Sequence, residues 1–299
     1  MKILLATDGS EYSEEAARSL LCMDLTVEDE IMLVHVVSWI PFQYDEEAYY
    51  RSLKQIKQDV APRIIDAALE VLAPVKARIS TSIIDGAPER YIVDTAEAGD
   101  MDLIVMGARG IKGVKSMLIG SVTKAVTLHS AKPVLVIKPG FCGNTGRKKI
   151  LFAADGSDFS DATARFLAAL PLNDDTEIII MNVIWSDFAD IPDRFVTEVN
   201  DRIKDMLADT RAEEFRESDR ILEQAKGYLG PRFKNLTAVS KVGDPSHEIL
   251  KTAGEMHADM IVVGCRGLKG MASMMGSVSR NILTHSDSSV LIGKTCRGQ

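Results

Sequence analysis

The chain contains the same unit twice, once in each half. A motif of the form Gly-x2-Gly, nine residues, Gly-Ser occupies residues 107–121, and a version with eight residues in its gap occupies 264–277. An Asp-Gly-Ser turn likewise occurs at Asp8 and again at Asp155. A repeat of about half a chain is too long for a solenoid. The sequence therefore predicts two domains of similar fold.

Within each half, short apolar runs alternate with helical patterns. In the first half the runs are 2–7, 31–37, 75–84, 103–106 and 133–138. This order is typical of an α/β fold with a parallel sheet covered by helices on both faces. We predict two Rossmann-like domains, each with a five-stranded parallel sheet. Ser10 or Ser13 is expected to cap the first helix, and Ser121 the helix after the glycine motif. Pro62 is expected to force a break or a new first turn in the helix over 45–72.

The glycine motif has the features of a phosphate site. It joins a strand to a helix, and a helix start offers free backbone N–H groups and a positive dipole end. Gly107 and Gly110 allow close backbone approach, and the hydroxyls of Ser121 and Thr123 are expected to add donors. The spacing fits neither a Walker loop nor a dinucleotide fingerprint.

This spacing resembles the nucleotide-binding signature of the universal stress protein family, and the match covers nearly all of the first half. The resemblance implies ATP, ADP or AMP as ligand, with any Mg²⁺ carried on its phosphates. It implies the following contacts: Ala6, Thr7, Asp8 and Val36 at the adenine and ribose; Met106, Gly107 and Gly110 around the sugar and phosphates; and Gly120, Ser121, Val122 and Thr123 at the phosphate tail.

Simpler interpretations exist for several of these residues. Asp8 is alternatively a residue that caps its own Asp-Gly turn and contacts no ligand. Arg109, Lys112 and Lys115 are either solvated charges or partners of the phosphates, and Arg109 is our candidate for a phosphate contact. His35 and His129 fit packed or hydrogen-bonded histidines better than ligands or bases.

The second half is expected to hold a weaker site, because its motif lacks one residue. Such a deletion is expected to displace donors by roughly 3.5 Å, which hydrogen bonds do not survive. The matching residues are Asp155, Val183, Val263, Gly264, Gly267, Gly276, Ser277 and Val278. Cys265 lies inside this motif and is either a redox-sensitive thiol or a plain small residue.

The second half also has a longer helical region, over residues 193–228. Phe195, Val199, Ile203 and Leu207 stand four apart there, which predicts a core-facing stripe on a longer helix. A protruding helical hairpin that binds a protein partner is the alternative.

The domain boundaries follow the glycine-rich stretch after the fifth strand. We predict a first domain over 1–140, a linker over 141–148 and a second domain over 149–299. The last strand of each half is apolar, so 134–137 and 290–292 are expected to pair. Tandem universal stress proteins resemble a dimer within one chain, which implies an intrachain pseudo-dimer and leaves open a further homodimer.

Composition limits the classes of partner. Against 35 basic residues stand 43 acidic ones, a net charge of −8, which argues against a nucleic-acid or anionic-membrane surface. No apolar stretch approaches membrane-spanning length. The four cysteines are far apart, so neither a disulfide framework nor a zinc site is expected. We therefore expect a reduced, cytoplasmic location.

The resemblance implies a nucleotide-binding stress-response regulator with an unidentified protein partner. No nucleophile, base and orienting group stand together as a catalytic set. One alternative is an enzyme that hydrolyses ATP slowly or handles adenylyl groups, with Asp8 and a magnesium ion near Ser121 as first candidates. Another is a dimeric scaffold without nucleotide.

Overall fold

The computed structural model describes residues 1–38, 47–111, 119–142, 147–185, 201–267 and 275–294. The strands in these ranges are β1 Lys2–Thr7, β2 Glu30–Val37, β3 Arg78–Asp85, β4 Leu103–Gly107, β5 Val134–Ile137, β6 Lys149–Ala153, β7 Glu177–Ile184, β8 Asn235–Val242, β9 Met260–Gly264 and β10 Ser289–Gly293. The helices are α1 Glu11–Leu21, α2 Glu47–Leu72, α3 Pro88–Ala98, α4 Ser121–His129, α5 Asp158–Ala169, α6 Asp201–Leu229, α7 Pro245–Glu255 and α8 Ser277–His285. The predicted alternation of strands and helices is confirmed.

The chain divides into two compact units. The first contains the described residues within Met1–Thr145, Pro171–Asn173 and Asp287–Gln299. Its parallel strands lie in the order β3-β2-β1-β4-β5. The chain order therefore reverses between β1 and β4, where Ala6 lies beside Met106. In open α/β sheets a ligand binds outside the carboxyl ends of the strands at such a switch point.

The second unit contains the described residues within Gly146–Leu170 and Asp174–Ser286. Its parallel strands lie in the order β9-β6-β7-β8, with Ala153 beside Val263. This is the same arrangement as in the first unit, so the second unit has its own switch point between β6 and β9.

The fifth strand of the second repeat belongs to the first unit. β10 pairs antiparallel with β5, with Leu291 opposite Leu135, and both side chains are fully buried. The predicted pairing of the two terminal strands is confirmed. The first unit thus contains one strand of the second repeat in addition to its own five, because an apolar edge strand is stabilised by pairing. The domain boundaries at residues 140 and 149 stay a prediction.

Two expectations that concern the fold are wrong. Pro62 lies inside α2, and the helix runs through it rather than breaking. Cys22 and Cys142 form a disulfide although 120 residues separate them, so the expectation of no disulfide fails. The fold places the end of α1 beside the segment after β5. The spacing of the cysteines in the sequence does not predict that these two segments are close. None of the described helices is long and apolar enough to cross a membrane.

Candidate functional site

The end of β4 lies against the start of α1. A methyl group on Gly107 would stand 2.5 Å from the backbone oxygen of Tyr12 and 2.6 Å from its carbonyl carbon. Only glycine allows the two backbones to come this close. This approach positions the glycine motif over the first turn of α1, which Ser10 caps as predicted by accepting a hydrogen bond from the Ser13 N–H.

Asp8 fixes the first part of the glycine motif. Its Oδ1 accepts hydrogen bonds from the N–H and hydroxyl of Ser10, at 3.0 and 2.6 Å. Its Oδ2 accepts from the Ile111 N–H at 3.0 Å and would stand 2.3 Å from a Cβ on Gly110. Asp8 therefore caps its own turn, as the simpler interpretation requires, and also holds the motif across the switch point.

Replacing Asp8 with asparagine should cost about 1–2 kcal/mol of unfolding free energy, measured by urea denaturation. The carboxylate of Asp8 accepts from three donors, which are spread over both of its oxygens. An amide has one oxygen and one NH2 group, so in either orientation its NH2 group faces a donor and at least one of these hydrogen bonds is lost. Asp155→Asn should cost less, because the two bonds that Asp155 accepts from Ser157 reach the same oxygen, which an amide can keep in place. A loss below about 0.5 kcal/mol in Asp8→Asn would contradict this role.

The start of α4 leaves its backbone donors open. Gly120 is the N-cap, with φ −72° and ψ 151°, and no side chain caps the helix. The expectation that Ser121 is the cap is therefore wrong: Ser121 is the first helical residue and is exposed. The Gly120 N–H donates to the Ala108 carbonyl at 2.8 Å, which closes the glycine motif back onto the end of β4.

Thr123 has a structural role that the sequence did not reveal. It is 3% exposed, and its hydroxyl donates to the Gly107 carbonyl at 2.9 Å. A hydroxyl has a single proton to donate. Thr123 therefore does not supply the additional phosphate donor that was expected, and Ser121 is the hydroxyl left at this helix start.

The side chains around this edge are held by neighbours. Arg109 stacks over the Tyr12 ring, with its guanidinium carbon 5.4 Å from the ring centroid, and donates to the Tyr12 hydroxyl at 3.1 Å. His35 is buried, and its Nδ1–H donates to the Thr7 carbonyl at 2.9 Å, so it is the hydrogen-bonded core histidine that was expected. His129 is exposed, and its Nδ1 lies 2.9 Å from the Ala125 carbonyl of its own helix.

The structure brings the predicted residues of the first half to one edge. Those at the ends of β1, β2 and β4 are buried or half-buried: Ala6, Thr7, Asp8, Val36, Met106 and Gly107. Arg109 and Gly110 follow β4, and Gly120, Ser121, Val122 and Thr123 form the helix start. Lys112 and Lys115 lie outside the described residues.

The second half repeats this geometry. The Gly276 N–H donates to the Cys265 carbonyl at 2.8 Å, and the Ser279 hydroxyl donates to the Gly264 carbonyl at 2.6 Å. These are the counterparts of the two bonds made by Gly120 and Thr123. The shorter motif thus does not displace the helix start. The difference in length falls between 268 and 274, outside the described residues, as do Phe195 and Val199 of the proposed stripe.

A cavity of about 400 Å³ lies over the switch point of the second unit. Its lining includes every residue predicted for the second site: Asp155, Val183, Val263, Gly264, Gly267, Gly276, Ser277 and Val278. It also includes residues that the sequence analysis missed, among them Met181, Ile249 and Arg280. Arg280 lies in the first turn of α8. The sequence could have indicated this residue, because a cation three residues after the Gly-Ser pair of the motif is well placed to contact a phosphate.

Comparison with known proteins gives one consistent result. The model of the universal stress protein family matches residues 1–138 and 146–294. Universal stress protein MJ0531 of Methanocaldococcus jannaschii is 30% identical over 138 residues, 46% of this chain and 81% of that protein. A universal stress protein of Mycolicibacterium smegmatis is 21% identical and covers 97% of this chain and 96% of its own length.

The same fold is found among solved structures. A universal stress protein from Archaeoglobus fulgidus superposes with a TM-score of 0.64 at 23% identity, covering 100% of this chain and 97% of the other. At this identity the likeness concerns the fold, and the local geometry described above is what bears on ligand chemistry.

Proposed function

This chain belongs to the universal stress protein family, with one domain of that family in each half, and from this premise we propose that it binds an adenine nucleotide at the glycine motif. The first-half site uses residues 107–110, the Ser121 hydroxyl and the backbone of 120–123, with Ala6, Thr7, Asp8 and Val36 at the adenine and ribose. The observation that carries the proposal is an uncapped helix start beside a glycine motif, present in both halves at a switch point between parallel strands.

The cavity of the second unit has the size and polarity that such a ligand needs. Small-molecule sites are typically about 300–1,000 Å³ and mostly apolar, with a few fixed polar groups. Val183 and Pro245, which are both half-buried, give one part of the lining an apolar surface suited to a base. Gly276 and Ser277 supply the helix start, and Arg280 adds a cation for phosphate oxygens. We therefore propose that the second half also binds, although its motif is shorter.

The proposed role of the ligand is regulatory. Each site has one carboxylate, Asp8 or Asp155. It accepts hydrogen bonds from backbone N–H groups and a serine hydroxyl, and it does not contact a side chain that would act as a nucleophile among the described residues. Such a carboxylate is suited to hold a loop whose shape depends on the ligand. We propose that the nucleotide state sets which protein partner binds in a stress response, and that any ATP hydrolysis is incidental.

The test is calorimetric titration of the nucleotide-stripped chain with ATP and Mg²⁺, using Ser121→Pro and Ser277→Pro. Proline is tolerated at the first helical position, and the extended backbone of Gly120 and Gly276 suits a residue that precedes proline. Each variant removes one N–H and one hydroxyl from one helix start while keeping the helix. Charge-assisted hydrogen bonds of this kind are worth about 1.5–3 kcal/mol each, so the loss of two donors should lower the affinity at the altered site at least about 100-fold.

The two variants serve as controls for each other. Wild type should bind at two sites per chain, Ser121→Pro should weaken one of them, and Ser277→Pro the other, with melting temperatures within about 2 °C of wild type. Wild type with one site, lost only in Ser121→Pro, would mean that the second half is inactive. No binding of ATP, ADP or AMP to wild type would refute the proposal and favour a scaffold.

A further inference from the structure

The disulfide lies at the far end of the helix that touches the first glycine motif. Cys22 is the C-cap of α1, and Cys142 follows β5. Their Cα atoms are 6.3 Å apart. At its other end the same helix presents Tyr12, whose backbone packs against Gly107 and whose ring carries Arg109. One short helix therefore connects the disulfide with the first site.

Both sulfur atoms belong to half-buried residues at the surface of the first unit. Cys142 lines an open groove of about 690 Å³ together with Tyr12, Arg18 and Gly140. A small dithiol reagent can enter a groove of this size. The reduced form also has a ready partner, because the Arg18 carbonyl lies 3.1 Å from the Cys142 sulfur and can accept a hydrogen bond from its S–H group.

We propose that Cys22 and Cys142 form a redox-active site that a dithiol opens in the folded protein. A thiolate of the dithiol attacks one sulfur of the pair, the Cys22–Cys142 bond breaks, and one cysteine leaves as a thiolate that takes up a proton. The second thiol of the reagent then displaces the other cysteine. The reagent ends as a cyclic disulfide, and the protein gains two electrons and two protons as two thiols.

Opening the pair loosens α1 where it meets the first glycine motif. In the oxidised chain the helix is fixed at its C-cap by the disulfide and near its start by the contact between Tyr12 and Gly107. Reduction removes the first of these constraints. Exchange at the disulfide thus adjusts how firmly Tyr12 and Arg109 support residues 107–111, and this last step rests on the nucleotide-binding function proposed above.

The second repeat supplies an internal reference. Its corresponding helix, α5, ends at Ala169 with Leu170 as C-cap, so no cysteine stands where Cys22 stands in the first repeat. Cys265 lies buried in the second glycine motif and is not part of the pair. Effects of a dithiol on the second site therefore report changes unrelated to this disulfide.

The first experiment equilibrates the full chain with mixtures of reduced and oxidised dithiothreitol, followed by alkylation and peptide mass spectrometry. Cys22 and Cys142 should become alkylated together while the circular dichroism stays native, and the melting temperature should fall by roughly 5–10 °C. The double variant Cys22→Ser/Cys142→Ser should melt at the reduced temperature and no longer respond to the dithiol. Alkylation of the pair only after unfolding in denaturant would overturn the proposal.

The second experiment measures amide exchange and ATP affinity with and without the dithiol. Exchange in α1 and at residues 107–111 should rise at least tenfold on reduction, with α5 unchanged; equal exchange in both states would overturn the coupling. ATP affinity at the site sensitive to Ser121→Pro should fall about 3- to 10-fold, and at the other site it should not change. If ATP binds neither site, the nucleotide proposal fails, while the alkylation result still decides the redox site. Cys265→Ala should respond to the dithiol as wild type does.

Discussion

Gly107→Ala should destabilise the chain by about 3 kcal/mol, measured by urea denaturation, and should weaken ATP binding at the first site. The added methyl would stand 2.5 Å from the Tyr12 carbonyl oxygen and 2.6 Å from its carbon. Both atoms are backbone, so the clash is relieved only by moving α1 away from β4. Overpacking of this kind typically costs about 1–3 kcal/mol, and a backbone obstacle places it at the upper end.

The control is Gly264→Ala at the equivalent position of the second repeat. There the nearest atom to the added methyl is the Phe159 carbonyl carbon at 3.2 Å, which requires a shift of only a few tenths of an ångström. This variant should cost about 1 kcal/mol or less. Equal losses of unfolding free energy in the two variants would contradict the prediction, because they would show that the close approach of α1 to β4 at Gly107 has no effect of its own.

Lys138→Met should stabilise the protein near pH 7, by up to about 3 kcal/mol, and the gain should disappear as the pH rises. Lys138 is 6% exposed, and burial lowers the pKa of its ammonium from 10.5 to about 8; Asp287 partly opposes this shift, and Arg109 adds to it. One pKa unit corresponds to about 1.4 kcal/mol. The lysine therefore carries a cost in the folded state that methionine does not.

The sign of the pH dependence follows from the two protonation states. Below about pH 8 the ammonium is charged in both the folded and the unfolded chain, so the whole cost is present. Between about 8 and 10.5 the unfolded chain binds more protons, so the stability of wild type rises relative to Lys138→Met. Urea denaturation near pH 7, 8.5 and 10 checks this, with the exposed Lys124→Met as a control for loss of a positive charge. A difference between wild type and Lys138→Met that does not change with pH would contradict the assignment.

The sequence by itself determined the repeat, the order of strands and helices, and the edge of the sheet where the candidate site lies. These features follow from local rules. Buried parallel strands read as apolar runs, and glycine and Asp-Gly turns mark their carboxyl ends. The positions Asp8, Gly107 and Gly120 were therefore identifiable because each meets a backbone requirement that few residue types satisfy. The unbroken α2 is an exception, since the packing of a long helix outweighs the local effect of Pro62.

Tertiary structure decided what these residues do. The Thr123 hydroxyl donates a hydrogen bond to the Gly107 carbonyl. The two residues lie on different elements, so their spacing in the sequence does not predict this bond. Cys22 meets Cys142 because α1 and the segment after β5 lie side by side, although 120 residues separate them. Lys138 acquires its lowered pKa from burial, and β10 joins the unit of the first repeat through its pairing with β5. Each of these depends on distances between segments remote in the chain, which packing fixes and local sequence does not encode.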